Sequence, residues 1–173
     1  MRKNSLRRIV YGGIIAALYI ALTLGFAPIS FGTLQFRVSE ALTVLPFFMP
    51  EAVWGLGVGC FVSNLYTGNA FDIVLGTFAT VLAAVITCYI GKRQKREFSL
   101  KKAWYAPLPA VISNALIVGY TLTFLYVDAV SGAFPIVALQ IGAGELAVCY
   151  IMGVPLMYFF GKNKFLSGSS RQG

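Results

Sequence analysis

The chain has 173 residues, of which 58% are hydrophobic and only 12% charged, and it carries a net charge of +8. Globular chains carry about 25% charged residues, and a soluble domain of this size cannot hide so much apolar surface. The sequence contains no histidine, which excludes histidine-based catalysis and histidine-ligated metals.

Runs without Lys, Arg, Asp or Glu cover residues 9–36, 52–71, 73–91, 103–127 and 129–144. A spanning helix needs about 20 such residues, because a rise of roughly 1.5 Å per residue must cross about 30 Å of hydrocarbon. A β-barrel would show alternating segments of roughly ten residues, and none is present. The expected class is an all-α integral membrane protein.

The first apolar stretch, Ile9 to Phe26, follows a basic start that resembles a signal peptide. Its length exceeds the usual apolar core of such a peptide and no A-x-A site follows, so it reads as an uncleaved first span. Within "YGGIIAALYIALTLGF", Gly13, Ala17 and Ala21 recur every four residues. Such a stripe of small side chains lets another helix approach closely in lipid. It serves either packing inside the bundle or docking of a separate membrane protein.

Next comes "FGTLQFRVSE", with Arg37 and Glu40 three residues apart. All other Lys and Arg residues fall into three clusters, at residues 2–8, 92–102 and 162–171. Cytoplasmic ends carry the Lys/Arg excess, so both termini and the 92–102 loop are expected inside. The basic charge thus marks topology and contact with anionic headgroups rather than nucleic acid. Residues 9–27 then cross outward, and 73–91 must start outside to end inside. The 39–66 stretch between them therefore begins and ends outside, with Pro50 at its turn. Its arms of about 11 and 15 residues make roughly 16 and 22 Å of helix, read as two short spans in preference to a re-entrant hairpin. Arg37 becomes the one exterior cation. It is either a membrane-surface arginine paired with Glu40 at i,i+3 or part of a lid over a binding site.

Residues 104–126 cross outward and 135–160 return, giving six helices with both termini cytoplasmic. Pro107, Pro109 and Pro135 suit helix starts, and Pro155 is expected to kink the last helix. The organisation is a basic N-terminus at 1–8, a six-helix substrate-binding domain at 9–161 and a disordered tail at 162–173.

Glu145 falls near mid-membrane, where a carboxylate costs about 2.5–3.5 kcal/mol and needs a partner. That partner is a proton, a polar neighbour, Arg37 reaching down, or a ligand. Asn114 is expected at similar depth, either tying helices together or facing a ligand. Gln140 lies about a turn above Glu145 and is expected to line the same cavity. Asn64 and Asp72 sit near the outer face, with Asp72 suited to cap the fourth helix. Tyr120, Tyr126, Tyr150, Phe124 and Phe134 are aromatic candidates for a pocket wall. A carboxylate with amides nearby suits a flat polar heterocycle, through paired N–H groups, or an amine cation. Cys60, Cys88 and Cys149 all lie in apolar runs and form no C-x-x-C pair, so neither a disulfide framework nor a metal site is expected. There is no Ser/His pair, Gly-x-Ser-x-Gly or Walker sequence, so neither an enzyme, a catalytic residue nor a cofactor is expected.

The segments "QFRVSEALTVLPFF", "WGLGVGCFVSNLYTG", "DIVLGTFATVLAA" and "GELAVCYIMGVPL" resemble the queuosine-precursor (QueT-type) family. These are substrate-binding S components of energy-coupling factor (ECF) transporters, a class of ABC importers for vitamin uptake. The resemblance, over roughly Arg8 to Gly161, implies a prokaryotic plasma-membrane protein with six helices and an outward-facing pocket. It implies as partners a transmembrane coupling (T) subunit, docked on Gly13, Ala17 and Ala21, and two cytoplasmic ATPase subunits. The implied ligand is a 7-deazaguanine, either 7-aminomethyl-7-deazaguanine or queuine. The "TLQFRVSE" loop then becomes a gate, and Arg37 and Glu40 join Glu145, Asn114, Gln140, Asn64 and Asp72 as binding candidates. An S component for a flavin, thiamine or folate, and a stand-alone proton-coupled carrier with Glu145 as its proton site, stay open as alternatives.

Overall fold

The computed structural model describes residues 2–31, 36–94, 99–125 and 134–162. Helices account for nearly all of them, and no strand occurs among the described residues. Gln35 and its neighbours at 32–34, Lys95, Arg96, Tyr126 and the 163–173 tail lie outside them, so the gate loop, the basic loop and the tail are described only in part.

Helix α1, Arg2–Gly25, is followed by the short α2, Ala27–Ser30. A 3-10 helix, Val38–Phe47, then leads through a turn at Pro50 into α3, Ala52–Asn64. A π turn, Asp72–Gly76, opens α4, Thr77–Arg93. Helices α5, Leu100–Tyr105, and α6, Leu108–Tyr120, are continued by a π turn at Thr121–Leu125. Helix α7, Phe134–Val148, passes through a third π turn, Cys149–Gly153, into α8, Val154–Lys162.

Four helical stretches are long and apolar enough to cross a membrane: Ser5–Gly25, Asp72–Arg93, Lys101–Leu125 and Phe134–Lys162. The hairpin arms on either side of Pro50 are shorter, with 10 residues in the 3-10 helix and 13 in α3. Each extends roughly 20 Å, short of the ~30 Å hydrocarbon core.

The prolines act where the sequence puts them. Pro107 caps α6 and Pro109 lies in its first turn; Pro135 is the second residue of α7. Pro155 lacks an N–H and crowds the carbonyl of Ile151, and the helix widens into its π turn over the five residues just before α8. Pro46 sits inside the 3-10 helix.

The core is centred on the hairpin. Every residue from Ser39 to Phe47 is buried, and Val44 and Phe47 pack with Tyr19, Leu56 and Met157 in the main apolar cluster. Close backbone contact requires small residues at the α1–α3 seam. A Cβ on Gly55 would stand 2.5 Å from the Gly12 carbonyl oxygen, and one on Gly59 would stand 2.8 Å from Tyr19 Cβ. The seam on α1 is thus the Gly12, Ala16 and Tyr19 face. Gly13, Ala17 and Ala21 are all exposed, and nothing lies within 4 Å of a Cβ built on Gly13. Packing inside this bundle therefore does not explain their stripe.

Candidate functional site

A polar cluster runs through this apolar bundle. It is built from the 3-10 helix, the C-terminal half of α1, the C-terminal end of α3, the start of α4, and α6 with α7.

Arg37 precedes the 3-10 helix, and the Glu40 N–H donates to the Arg37 carbonyl at 2.9 Å. This turn drives both side chains inward. Arg37 is only 6% exposed and Glu40 is 0% exposed, which corrects the expectation of a membrane-surface arginine. The i,i+3 pairing is also corrected. Arg37 Nη2 donates to Asn64 Oδ1 at 2.6 Å, and its guanidinium stacks over Phe31 at 5.3 Å. Phe31 in turn stacks on Tyr66 with ring centroids 5.4 Å apart. Glu40 accepts through Oε1 from the Tyr19 hydroxyl and, at 3.0 Å, from Thr80 Oγ1. The physical reason is competition: three packed helices bring polar groups to the two side chains from directions the local spacing does not reveal.

Asn64, fully buried, is the hub that ties α3 to α4. It accepts from Arg37, and its Nδ2 donates to the Asp72 carbonyl at 2.9 Å and to Cys60 Sγ at 3.4 Å. Asp72 is half-buried and sits inside the first turn of the fourth helical stretch rather than in the N-cap role. That role falls to Asn69, whose side chain accepts from the Phe71 N–H at 2.8 Å and whose carbonyl accepts from Ile73 at 3.1 Å. The helix therefore starts one turn earlier than expected.

On the other side of the cluster, Glu145 is 2% exposed and Asn114 is 3% exposed. Asn114 Nδ2 donates to Glu145 Oε1 at 3.0 Å, joining α6 to α7. Cys149 Sγ lies 3.7 Å from Glu145 Oε2 and 3.6 Å from the Glu40 carbonyl oxygen, so it bridges the two carboxylate regions. Glu145 thus has a polar neighbour, while the guanidinium of Arg37 goes to Asn64. Gln140 is half-buried. Five residues of helix set it about 140° round from Glu145 but only about 40° from Gly144, at the edge of the buried stripe of Ile141, Gly144, Glu145 and Val148.

The aromatic candidates collect elsewhere. Tyr120 and Phe124 pack at 4.9 Å, and Phe124 and Phe134 at 6.1 Å. Tyr120 is 50% exposed and Phe124 45% exposed. Tyr150 donates to the Trp104 carbonyl at 2.7 Å.

Sequence reasoning missed Tyr19, Thr80 and Cys60 as members of the cluster. The available signal was their place on buried helix faces: Tyr19 lies on the α1 stripe with Gly12, Ala16 and Thr23, and Thr80 falls one residue after the buried Ala79.

Two buried atoms in the cluster lack a hydrogen-bond partner: Arg37 Nε and Glu40 Oε2. An unmet buried donor or acceptor costs about 1–3 kcal/mol, and more where charged. The arrangement offers one donor and one acceptor to an incoming polar molecule, with a second carboxylate close by.

The QueT transporter family model matches residues 9–162. A relative from Lactococcus lactis subsp. cremoris (strain MG1363), described as "Queuosine precursor transporter QueT", is 32% identical over 111 residues, which cover 61% of this chain and 66% of the relative. The match thus spans just under two thirds of that relative's length. No solved structure matches the chain. With a family model spanning the helical body from α1 to α8, the chain belongs to the QueT transporter family.

Proposed function

We propose that the chain is the substrate-binding membrane subunit, or S component, of an energy-coupling factor importer. It captures a 7-deazaguanine queuosine precursor, 7-aminomethyl-7-deazaguanine or queuine, from outside the cell. A transmembrane coupling subunit and two cytoplasmic ATPases then drive its release inward. The observation that carries this reading is the buried polar cluster of Arg37, Glu40, Asn64, Asn114 and Glu145 inside an otherwise apolar bundle. Ionisable groups at such depth are costly, and in membrane proteins they mark substrate pathways. A flat heterocycle rich in N–H groups and carrying an amine complements two carboxylates. The name of the Lactococcus relative supports the same class of cargo.

The exposed Gly13, Ala17 and Ala21 face of α1 supports docking of the coupling subunit, since small residues admit a partner helix in lipid. The sequence has no Walker motif, so the energy source is a partner or an ion gradient, and we take the partner. We adopt six passes with both termini cytoplasmic, the two short arms of the hairpin filling the outer part of the bundle. The basic clusters support that topology.

Reconstitution tests the reading. Proteoliposomes holding the chain, the coupling subunit and the ATPases should accumulate labelled 7-aminomethyl-7-deazaguanine only with internal ATP. Uptake by the chain alone under a pH gradient would instead identify a proton-coupled carrier. Competition by riboflavin, thiamine or folate but not by deazaguanines would identify an S component for another vitamin.

A further inference from the structure

We propose that Arg37 and Glu40 form an ion pair held open, and that together they read one neutral edge of the cargo ring: Arg37 Nε donates to a ring carbonyl and Glu40 Oε2 accepts from the adjacent ring N–H. This rests on the transport reading above and assigns the ends of its ligand.

Opposite charges three residues apart ordinarily close on each other. In a 3-10 turn the side chains at i and i+3 leave the backbone on the same side, and the Glu40 N–H to Arg37 carbonyl bond closes such a turn here. Yet the described contacts of Arg37 are Asn64, Cys60 and the Phe31 ring, and the side-chain contacts of Glu40 are Tyr19 and Thr80. Each side chain is anchored by helices other than its own. The anchoring uses Nη1 and Nη2 of Arg37 and Oε1 of Glu40, and leaves Nε and Oε2 buried without partners. A lactam edge, C=O beside N–H, carries the acceptor that Nε–H lacks and the donor that Oε2 lacks.

Charge separates the roles of the two carboxylates. Arg37 and Glu40 offset each other, so their site favours a neutral edge and opposes an ammonium. Glu145 takes its hydrogen bonds from Asn114 and Cys149, neither of which is a cation. It is the carboxylate left for the positive aminomethyl group of the same ligand.

Two probes separate these ends: 7-aminomethyl-7-deazaguanine, and 7-methyl-7-deazaguanine, which keeps the ring edge and lacks the amine. Both are titrated against the full chain in nanodiscs without ATP. Glu40→Gln should weaken both by a similar factor of about 10–100, the loss of one charge-assisted bond. Glu145→Gln should weaken the amine compound alone. Arg37→Lys, which keeps the charge and removes the Nε–H, should give the same parallel loss as Glu40→Gln. Unchanged affinity for both probes in Glu40→Gln or in Arg37→Lys overturns the proposal. So does a loss in either variant confined to the amine compound, and the Arg37→Lys arm decides the matter even where Glu40→Gln does not fold. Failure of the wild-type chain to bind either probe overturns the transport reading and this proposal with it, whereas wild-type binding with unaltered variants overturns this proposal alone.

Discussion

Arg37 reaches Asn64 across 27 residues of chain, Nη2 to Oδ1 at 2.6 Å, although Glu40 stands only three residues away. This contact converts a segment that reads as an outer loop into part of the buried interior. It also makes Asn64 an amide that holds the guanidinium and the start of the fourth helix at once.

Replacement of Asn64 should therefore destabilise the isolated protein. Asn64→Leu keeps much of the volume but leaves the guanidinium and the Asp72 carbonyl without this partner. A loss of about 2–4 kcal/mol is expected, read as a lower midpoint in thermal or denaturant unfolding in detergent. A midpoint within error of wild type would show that the hub carries no energy.

Tyr19→Phe isolates the support of Glu40. The ring and its packing stay, and only the hydroxyl donor is removed. Stability should fall by about 1–3 kcal/mol, because a buried carboxylate loses one of its two donors. Ligand affinity should fall as well, since Thr80 alone then positions the carboxylate. Equal stability and equal affinity would mean that Tyr19 only fills space.

The two small-residue faces of α1 should behave differently. Gly55→Ala places a methyl 2.5 Å from the Gly12 carbonyl, so α1 and α3 must separate, at a cost of about 1–3 kcal/mol. At Gly13, which is exposed, an added Cβ meets nothing within 4 Å, so Gly13→Leu points away from the rest of the chain. It should leave the unfolding midpoint unchanged yet prevent co-purification with the coupling subunit. Retained assembly in that variant would remove this face from the docking surface.

Topology has its own check. Single cysteines at positions 3, 95 and 164, in a background lacking Cys60, Cys88 and Cys149, should react with an impermeant maleimide only in inside-out vesicles. Labelling of any of them in intact cells would reverse the assigned orientation of that end.

Much of this was legible in the sequence, for physical reasons. Charge is so costly in hydrocarbon that uncharged runs delimit the spanning helices, and prolines mark helix starts because their missing N–H is tolerated there. Glu145 and Asn114 stood out because such groups are rare at depth, and they do meet. Arg37 and Glu40 were harder to place. Their neighbours in sequence describe an outer loop, and only the packing of α1, α3 and α4 shows that loop folded inward. Tyr19, Thr80 and Cys60 carry only the weak signal of a place on buried helix faces, because hydroxyls and thiols are ordinary in apolar helices. Asp72 lies inside the fourth helical stretch because Asn69, three residues earlier, takes the N-cap position and accepts from the Phe71 N–H.

The central claim is that the buried polar cluster receives a 7-deazaguanine. An equilibrium titration of the purified chain in nanodiscs, without ATP or partners, tests it most directly, with guanine as the control. The account predicts saturable one-to-one binding of 7-aminomethyl-7-deazaguanine or queuine that is tighter than guanine and is weakened by about tenfold or more in Glu40→Gln and Glu145→Gln. Absence of saturable binding, or binding indifferent to both substitutions, would contradict it.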